Sequence, residues 1–147
     1  MPDILLLNGP NLGILGRRQV DVYGTDTLAD VERAVAMEIA PWYQLSSVQR
    51  DGEGELIGAV QDNYHVAGAI VNPGALMIAG WGLRDALENF PAPWIEVHLS
   101  NIWAREQFRH TPITAALAAG VIAGFGPHGY RLAARALLQI LTSSPKS

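Results

Sequence analysis

The chain contains no cysteine, which excludes disulfide frameworks, thiolate catalysis and cysteine-bound zinc or iron–sulfur centres. Lysine is nearly absent as well: every basic residue except Lys146 is an Arg, whose planar fork suits carboxylates and ring hydroxyls. Charge of either sign is scarce, at 16% where about 25% is usual, so part of the surface is expected to be covered by other subunits. There is no positive excess, and a net charge of -4 argues against a nucleic-acid partner. No run approaches the roughly 18 apolar residues of a membrane span. The start Met1-Pro2-Asp3 lacks a basic segment, and the apolar run Ile4 to Leu7 is too short for a signal peptide. The chain therefore reads as cytoplasmic, with no membrane partner. Repeats, low-complexity stretches and linkers are missing too. What is there is 147 residues, 49% hydrophobic: enough for one sizeable core, and a single domain over 1–147 is expected.

The hydrophobic pattern alternates between short continuous runs and helical spacing. Ile4-Leu5-Leu6-Leu7, closed by Asn8-Gly9-Pro10, fits a strand buried on both faces. Residues 11–26 read as a long loop. Thr27 reads as an N-cap, and Leu28, Val31, Val35 and Ile39 follow at helical spacing up to Pro41. Further strands are predicted at Gln44 to Gln49, Gly68 to Val71, Pro93 to Leu99 and Gly120 to Ala123. Further helices are predicted at Glu55 to His65, from about Ile78 to Asn89, and from Gly129 to Leu141 with Leu132, Ala136 and Ile140 inward. Residues 100–117 read as a loop with one helical turn around Ala104 to Phe108. This alternation means βαβ units, and five strands suit a flavodoxin-like open parallel sheet with helices on both faces. Ligands of such sheets sit beyond the carboxyl ends of the strands. Asn8, Asn11, Asn72, His98, Ser100 and Asn101 all fall there.

Several motifs lead nowhere. Gly124-Phe125-Gly126-Pro127-His128-Gly129 is a literal G-x-G-x-x-G, but no βαβ unit can follow it, so a tight turn is the expected role. The four histidines do not stand at metal-ligand spacing, and no metal site is expected. Ser100 has no nucleophile-elbow context. Glu96 and His98, two apart on a strand, point to one face, where a carboxylate orients an imidazole and makes a general acid. The same pattern fits a half-exposed edge strand equally well. In the loop from Gly16 to Gly24, Tyr23 lies near Arg17 and Arg18, and a Tyr beside Arg can serve as a phenolate base. A solvated surface loop is the plainer reading of those residues alone. Arg105 and Arg109, four apart, share a helical face and either grip an anion or decorate the surface.

Taken together, the motifs resemble one family. Asn8-Gly9-Pro10-Asn11-Leu12, Leu15-Gly16, Arg18 and Val22-Tyr23-Gly24 look like the amino-terminal signature of the type II 3-dehydroquinate dehydratases, or dehydroquinases. Glu53-Gly54-Glu55-Leu56, Asn72-Pro73-Gly74-Ala75 and Leu83-Arg84-Asp85-Ala86-Leu87 continue the likeness. So do Glu96-Val97-His98-Leu99-Ser100-Asn101-Ile102, Ala104-Arg105-Glu106, Phe108-Arg109-His110, Ala119-Gly120-Val121-Ile122 and Gly124-Phe125-Gly126. The resemblance spans essentially the whole chain. It implies a flavodoxin-like fold, a dodecamer of four trimers, and cofactor-free anti elimination of water from 3-dehydroquinate through an enolate, in the shikimate or quinate route. It also implies roles. Tyr23 would take the C2 proton, with Arg18 stabilising its phenolate on a lid. Asn11 would stabilise the enolate through a water, and His98, held by Glu96, would protonate the departing hydroxyl. Asn72, Arg109 and the Leu99 and Ser100 region would hold substrate, and Asp85 would reach in from a neighbouring subunit.

The chain departs from the family pattern at Met77-Ile78-Ala79-Gly80, where Thr-His-Thr-Ser is usual. It departs again at Arg50-Asp51-Gly52, at Gln19-Val20, and at Trp81 and Trp103. An apolar patch where a substrate-contacting histidine is expected leaves three readings: an active dehydroquinase, a paralogous hydro-lyase on a related ring lacking a polar group, and a non-catalytic scaffold of the same fold.

Overall fold

The computed structural model describes residues 1–17 and 19–143. Five strands, β1 (Asp3–Asn8), β2 (Gln44–Gln49), β3 (Gly68–Asn72), β4 (Trp94–His98) and β5 (Gly120–Ala123), form one parallel sheet in the order β2-β1-β3-β4-β5. This is the flavodoxin-like winding, with its switch point between β1 and β3. The helices are α1 (Val20–Tyr23), α2 (Leu28–Ile39), α3 (Glu53–Asp62), α4 (Leu76–Ala79), α5 (Trp81–Glu88) and α6 (His128–Ser143). Among the described residues, no helix is long and apolar enough to cross a membrane.

Alternation along β1 explains the run of four apolar residues. Ile4 and Leu6 join the core under α2 and α6, with Val35, Ile39, Ile70 and Leu137. Leu5 and Leu7 join the core under α3 and α5, with Leu56, Val60, Leu83 and Leu87. Both faces are covered, so nothing in β1 alternates in polarity. Thr27 opens α2 with a capping box: its hydroxyl accepts from Asp30 N, and Asp30 accepts from Thr27 N.

Four local expectations need correction. The helix expected from Ile78 to Asn89 is two helices broken at Gly80. A Cβ there would lie 2.8 Å from Leu76 O, and Glu53 Oε2 caps the second helix by accepting from Leu83 N at 3.0 Å. The loop over residues 100–117 carries three 3-10 turns rather than one, at Ile102–Ala104, Gln107–His110 and Ala115–Leu117. The segment 11–26 contains a 3-10 turn at Leu12–Ile14 and the single turn α1. The inward stripe of α6 is Tyr130, Ala133, Ala134 and Leu137, whereas Leu132, Ala136 and Ile140 are half-buried. Leu137 sits over the space that a side chain at Gly68 would fill, and the two alanines let the helix lie close to the sheet.

Candidate active site

The carboxyl ends of β1, β3 and β4 open on a cleft of about 240 Å³, a small-molecule volume. Asn11, Tyr23, Asn72, His98, Leu99, Ser100 and Arg109 all line it, although they come from five separate stretches of chain. Glu96 stands directly behind His98. Asp85 is exposed on α5 and does not line its own chain's cleft. Arg18 lies outside the described residues.

Because β4 is an interior strand, Glu96 and His98 are not polar decoration on an edge. They are 0% and 5% exposed. Glu96 Oε2 lies 2.7 Å from His98 Nε2, and Glu96 Oε1 accepts the Thr114 hydroxyl at 2.5 Å. Both carboxylate oxygens are thus engaged in the interior, the condition under which a buried charge is tolerated. With Nε2 engaged by the carboxylate, Nδ1 is the ring nitrogen left for the cleft. It accepts a proton in the neutral ring and donates one in the imidazolium.

Tyr23, delivered by α1, lines the same cleft as His98. That turn follows Gln19, a non-glycine residue at φ 34, and closes on Gly24 at φ 81. The Tyr23 hydroxyl accepts from Arg105 Nη1 at 2.9 Å, and the guanidinium carbon stands 5.5 Å from the ring centroid. The same Nη1 donates to Ser100 Oγ at 3.2 Å. Arg105 therefore joins the loop after β4 to the phenol across the mouth of the cleft. Its partner in the sequence reading, Arg109, lines the cleft beside it. Arg109 Nε donates to Glu106 Oε2 at 2.5 Å and holds that carboxyl below its usual value.

On the β1 and β3 side the polar groups are held from within. Asn72 Oδ1 accepts from Gly74 N at 3.0 Å, and Asn72 Nδ2 donates to the Tyr130 hydroxyl at 2.9 Å. Tyr130 in turn donates to Asn8 Oδ1 at 2.6 Å. An amide nitrogen carries two hydrogens, so Asn72 keeps one donor for the cleft. Asn11 adopts the left-handed region at φ 68, which Asn tolerates better than most residues. Its backbone N–H donates to Asp51 Oδ1 at 2.9 Å, and Gln49 Nε2 donates to the same oxygen at 3.1 Å. The Asn11 bond is the main reason that the Asp51 carboxyl lies below its ordinary value.

Sequence reasoning missed three residues. Thr114 is fully buried against Glu96 but stands 18 positions away, on a loop with no period to read. Arg105 reads in the sequence as an anion grip or surface decoration, because its phenol partner is 82 positions distant. Met77, rather than Ile78, lines the cleft, and Ile78 is half-buried beside it. Of the motifs set aside, the G-x-G-x-x-G is a turn. Gly124 N donates to His98 O at 3.3 Å and Gly126 N to Leu99 O at 2.9 Å, which joins the base of α6 to the end of β4. Among the described residues, no three His, Asp or Glu side chains gather where they could hold a metal ion.

Known proteins share this chain's sequence pattern and fold. Residues 2–138 match the family described as Dehydroquinase class II. A 3-dehydroquinate dehydratase of Gloeobacter violaceus is 47% identical over 140 residues, covering 94% of this chain and 88% of its own. One of Bacillus subtilis is 44% identical over 144 residues, covering 94% and 95%. The crystal structure of type II dehydroquinase from Propionibacterium acnes superposes with a TM-score of 0.85 at 39% identity, covering 97% of this chain and 98% of that one. Membership is full-length and rests on sequence and fold together: the chain belongs to the class II dehydroquinase family.

Proposed function

We propose that this chain is a 3-dehydroquinate dehydratase, converting 3-dehydroquinate to 3-dehydroshikimate and water. The observation that carries the reading is one cleft lined by both a tyrosine whose hydroxyl accepts from a guanidinium and a carboxylate-held histidine. An elimination needs just these two groups, a base and an acid, placed apart. Tyr23, as phenolate, takes the C2 proton, and the electron pair moves onto the C3 carbonyl oxygen to form an enolate. The enolate collapses to a C1–C2 double bond. The C1–O bond breaks, and the hydroxyl leaves as water with the proton that His98 gives it.

In this reading Arg105 stabilises the phenolate, and Arg18 is assigned the same task. Asn11 serves the enolate oxygen, Glu96 holds His98, and Asn72, Arg109, Leu99 and Ser100 bind substrate. Asp85 completes a neighbour's site within a dodecamer of four trimers. Supporting that assembly, Trp81, Trp103 and Phe108 are more than half exposed around the turns that flank the cleft, and large apolar side chains of this kind mark covered surfaces. A cytoplasmic location is part of the same proposal.

A second reading has one observation in its favour. Met77 presents an apolar side chain to the cleft, which suits a related ring that lacks one hydroxyl. Steady-state turnover of 3-dehydroquinate, followed by the absorbance of the conjugated enone, separates the two. Saturable turnover supports the first reading. None at high substrate, with turnover of a deoxygenated analogue, supports the second.

A further inference from the structure

Thr114 lies outside the cleft, yet it touches the acid's carboxylate more closely than any ordinary packing contact. Its loop is pinned through both backbone groups of the residue before it. Ile113 N donates to Met77 O at 2.6 Å, and Arg84 Nε donates to Ile113 O at 2.9 Å. The next residue, Thr114, is 0% exposed and its hydroxyl reaches Glu96 Oε1 at 2.5 Å. A hydroxyl donating to a carboxylate is short and strong in this way. The opposite oxygen, Oε2, meets His98 Nε2. A carboxylate hanging from a strand can rotate about its terminal bond, and only a second fixed partner stops it.

We infer that Thr114 is a positioning residue of this enzyme, acting through Glu96 to fix the ring of His98 so that Nδ1 meets the departing hydroxyl. The chain of contacts is Thr114 hydroxyl, Glu96 carboxylate, His98 ring, cleft. Without the Thr114 hydroxyl, Oε1 is left buried and unpaired, and the carboxylate turns away from Nε2 to find another donor. The ring then loses its fixed plane, while the groups that bind substrate elsewhere in the cleft are untouched. The consequence is a loss in kcat with little change in KM.

This inference rests on the dehydratase reading for its catalytic consequence, so the test has two independent readouts. The first is steady-state kinetics of Thr114→Val and Thr114→Ser on 3-dehydroquinate. Thr114→Val is expected to lower kcat by roughly 10- to 100-fold, the loss of one charge-assisted hydrogen bond, with KM nearly unchanged. Thr114→Ser is expected to recover most of the wild-type kcat. In a Glu96→Gln background, Thr114→Val is expected to add little, since both act on the same ring. The second readout is the imidazole 15N spectrum of the free protein, which needs no substrate: the His98 Nε2 resonance is expected to shift in Thr114→Val and to return in Thr114→Ser. If Thr114→Val does not fold, Thr114→Ala carries the same comparison. Unchanged kcat with a superimposable His98 spectrum in the valine or alanine variant overturns the inference, as does an equal loss in the serine variant. Absent wild-type turnover overturns the dehydratase reading, and the ring spectrum then still decides the role of Thr114.

Discussion

Two tyrosines, Tyr23 and Tyr130, have opposite surroundings, and the proposed reading gives them opposite tasks. Tyr23 lines the cleft on a single helical turn, and a guanidinium donates to its oxygen. Tyr130 is fully buried at the start of α6, donates to Asn8 and accepts from Asn72. Burial pushes the Tyr130 phenol well above its ordinary value, so it stays neutral and serves as a fixed link between two amides. Tyr23 has a cation at its oxygen and a place on the cleft wall, whereas Tyr130 has two neutral amides and no access to the cleft. Burial of a polar group is therefore no mark of catalysis here. Access to the cleft and the charge of the nearest partner are.

The comparison is broken most sharply at Tyr23. Tyr23→Phe is expected to lower kcat by roughly 10²- to 10⁴-fold while ligand binding stays nearly intact, as calorimetry with a product analogue would check. Arg105→Leu removes the cation and keeps the phenol. A loss of roughly 10- to 100-fold in kcat is expected, and a wild-type rate would take Arg105 out of the mechanism. Tyr130→Phe sharpens the contrast from the other side. It strips Asn8 and Asn72 of a shared partner and is expected to cost about 1–3 kcal/mol of stability in a denaturant titration, with kcat nearly kept. The same variant has a pH signature. The folded phenol of Tyr130 holds its proton to higher pH than an unfolded one. Its stabilising contribution is thus whole below the ordinary phenol value near 10.0 and falls as pH rises through and above it. Alkaline unfolding of the wild type is expected to show that slope, and Tyr130→Phe to lack it. The smallest effect belongs to Met77→Thr, which returns a polar group to the cleft wall. It is expected to lower the KM for 3-dehydroquinate by roughly 2- to 10-fold, and a raised KM would favour the deoxygenated ring.

Much of this was legible before any coordinates. The strand at Ile4 to Leu7 and the helix opened by Thr27 follow from run length, spacing and capping, which are local properties. His98 and Asn72 stand in recognisable motifs at strand ends, which the sheet order brings together, and Tyr23 stands in a loop motif that reaches the same cleft. What escaped were contacts between distant stretches. Nothing near Thr114 says that it meets Glu96, and nothing near Arg105 says that it meets Tyr23. The break at Gly80 escaped for a related reason: it depends on Leu76 O and on the cap from Glu53, and neither is visible in the helical spacing of residues 78–89. Ile78 drew attention as the departure from the family pattern, but the turn of α4 presents its neighbour Met77 to the cleft. A side chain's direction on a one-turn helix is set by packing, which spacing alone does not reveal.

The central claim is that Tyr23 is the base and Tyr130 a structural link. The most direct measurement is turnover of 3-dehydroquinate by the wild type, Tyr23→Phe and Tyr130→Phe side by side, each checked for folding by near-ultraviolet circular dichroism. The account predicts saturable turnover in the wild type, its loss in folded Tyr23→Phe, and a nearly unchanged kcat in folded Tyr130→Phe. Near-normal turnover in Tyr23→Phe would contradict it, and so would an equal loss of kcat in the two variants.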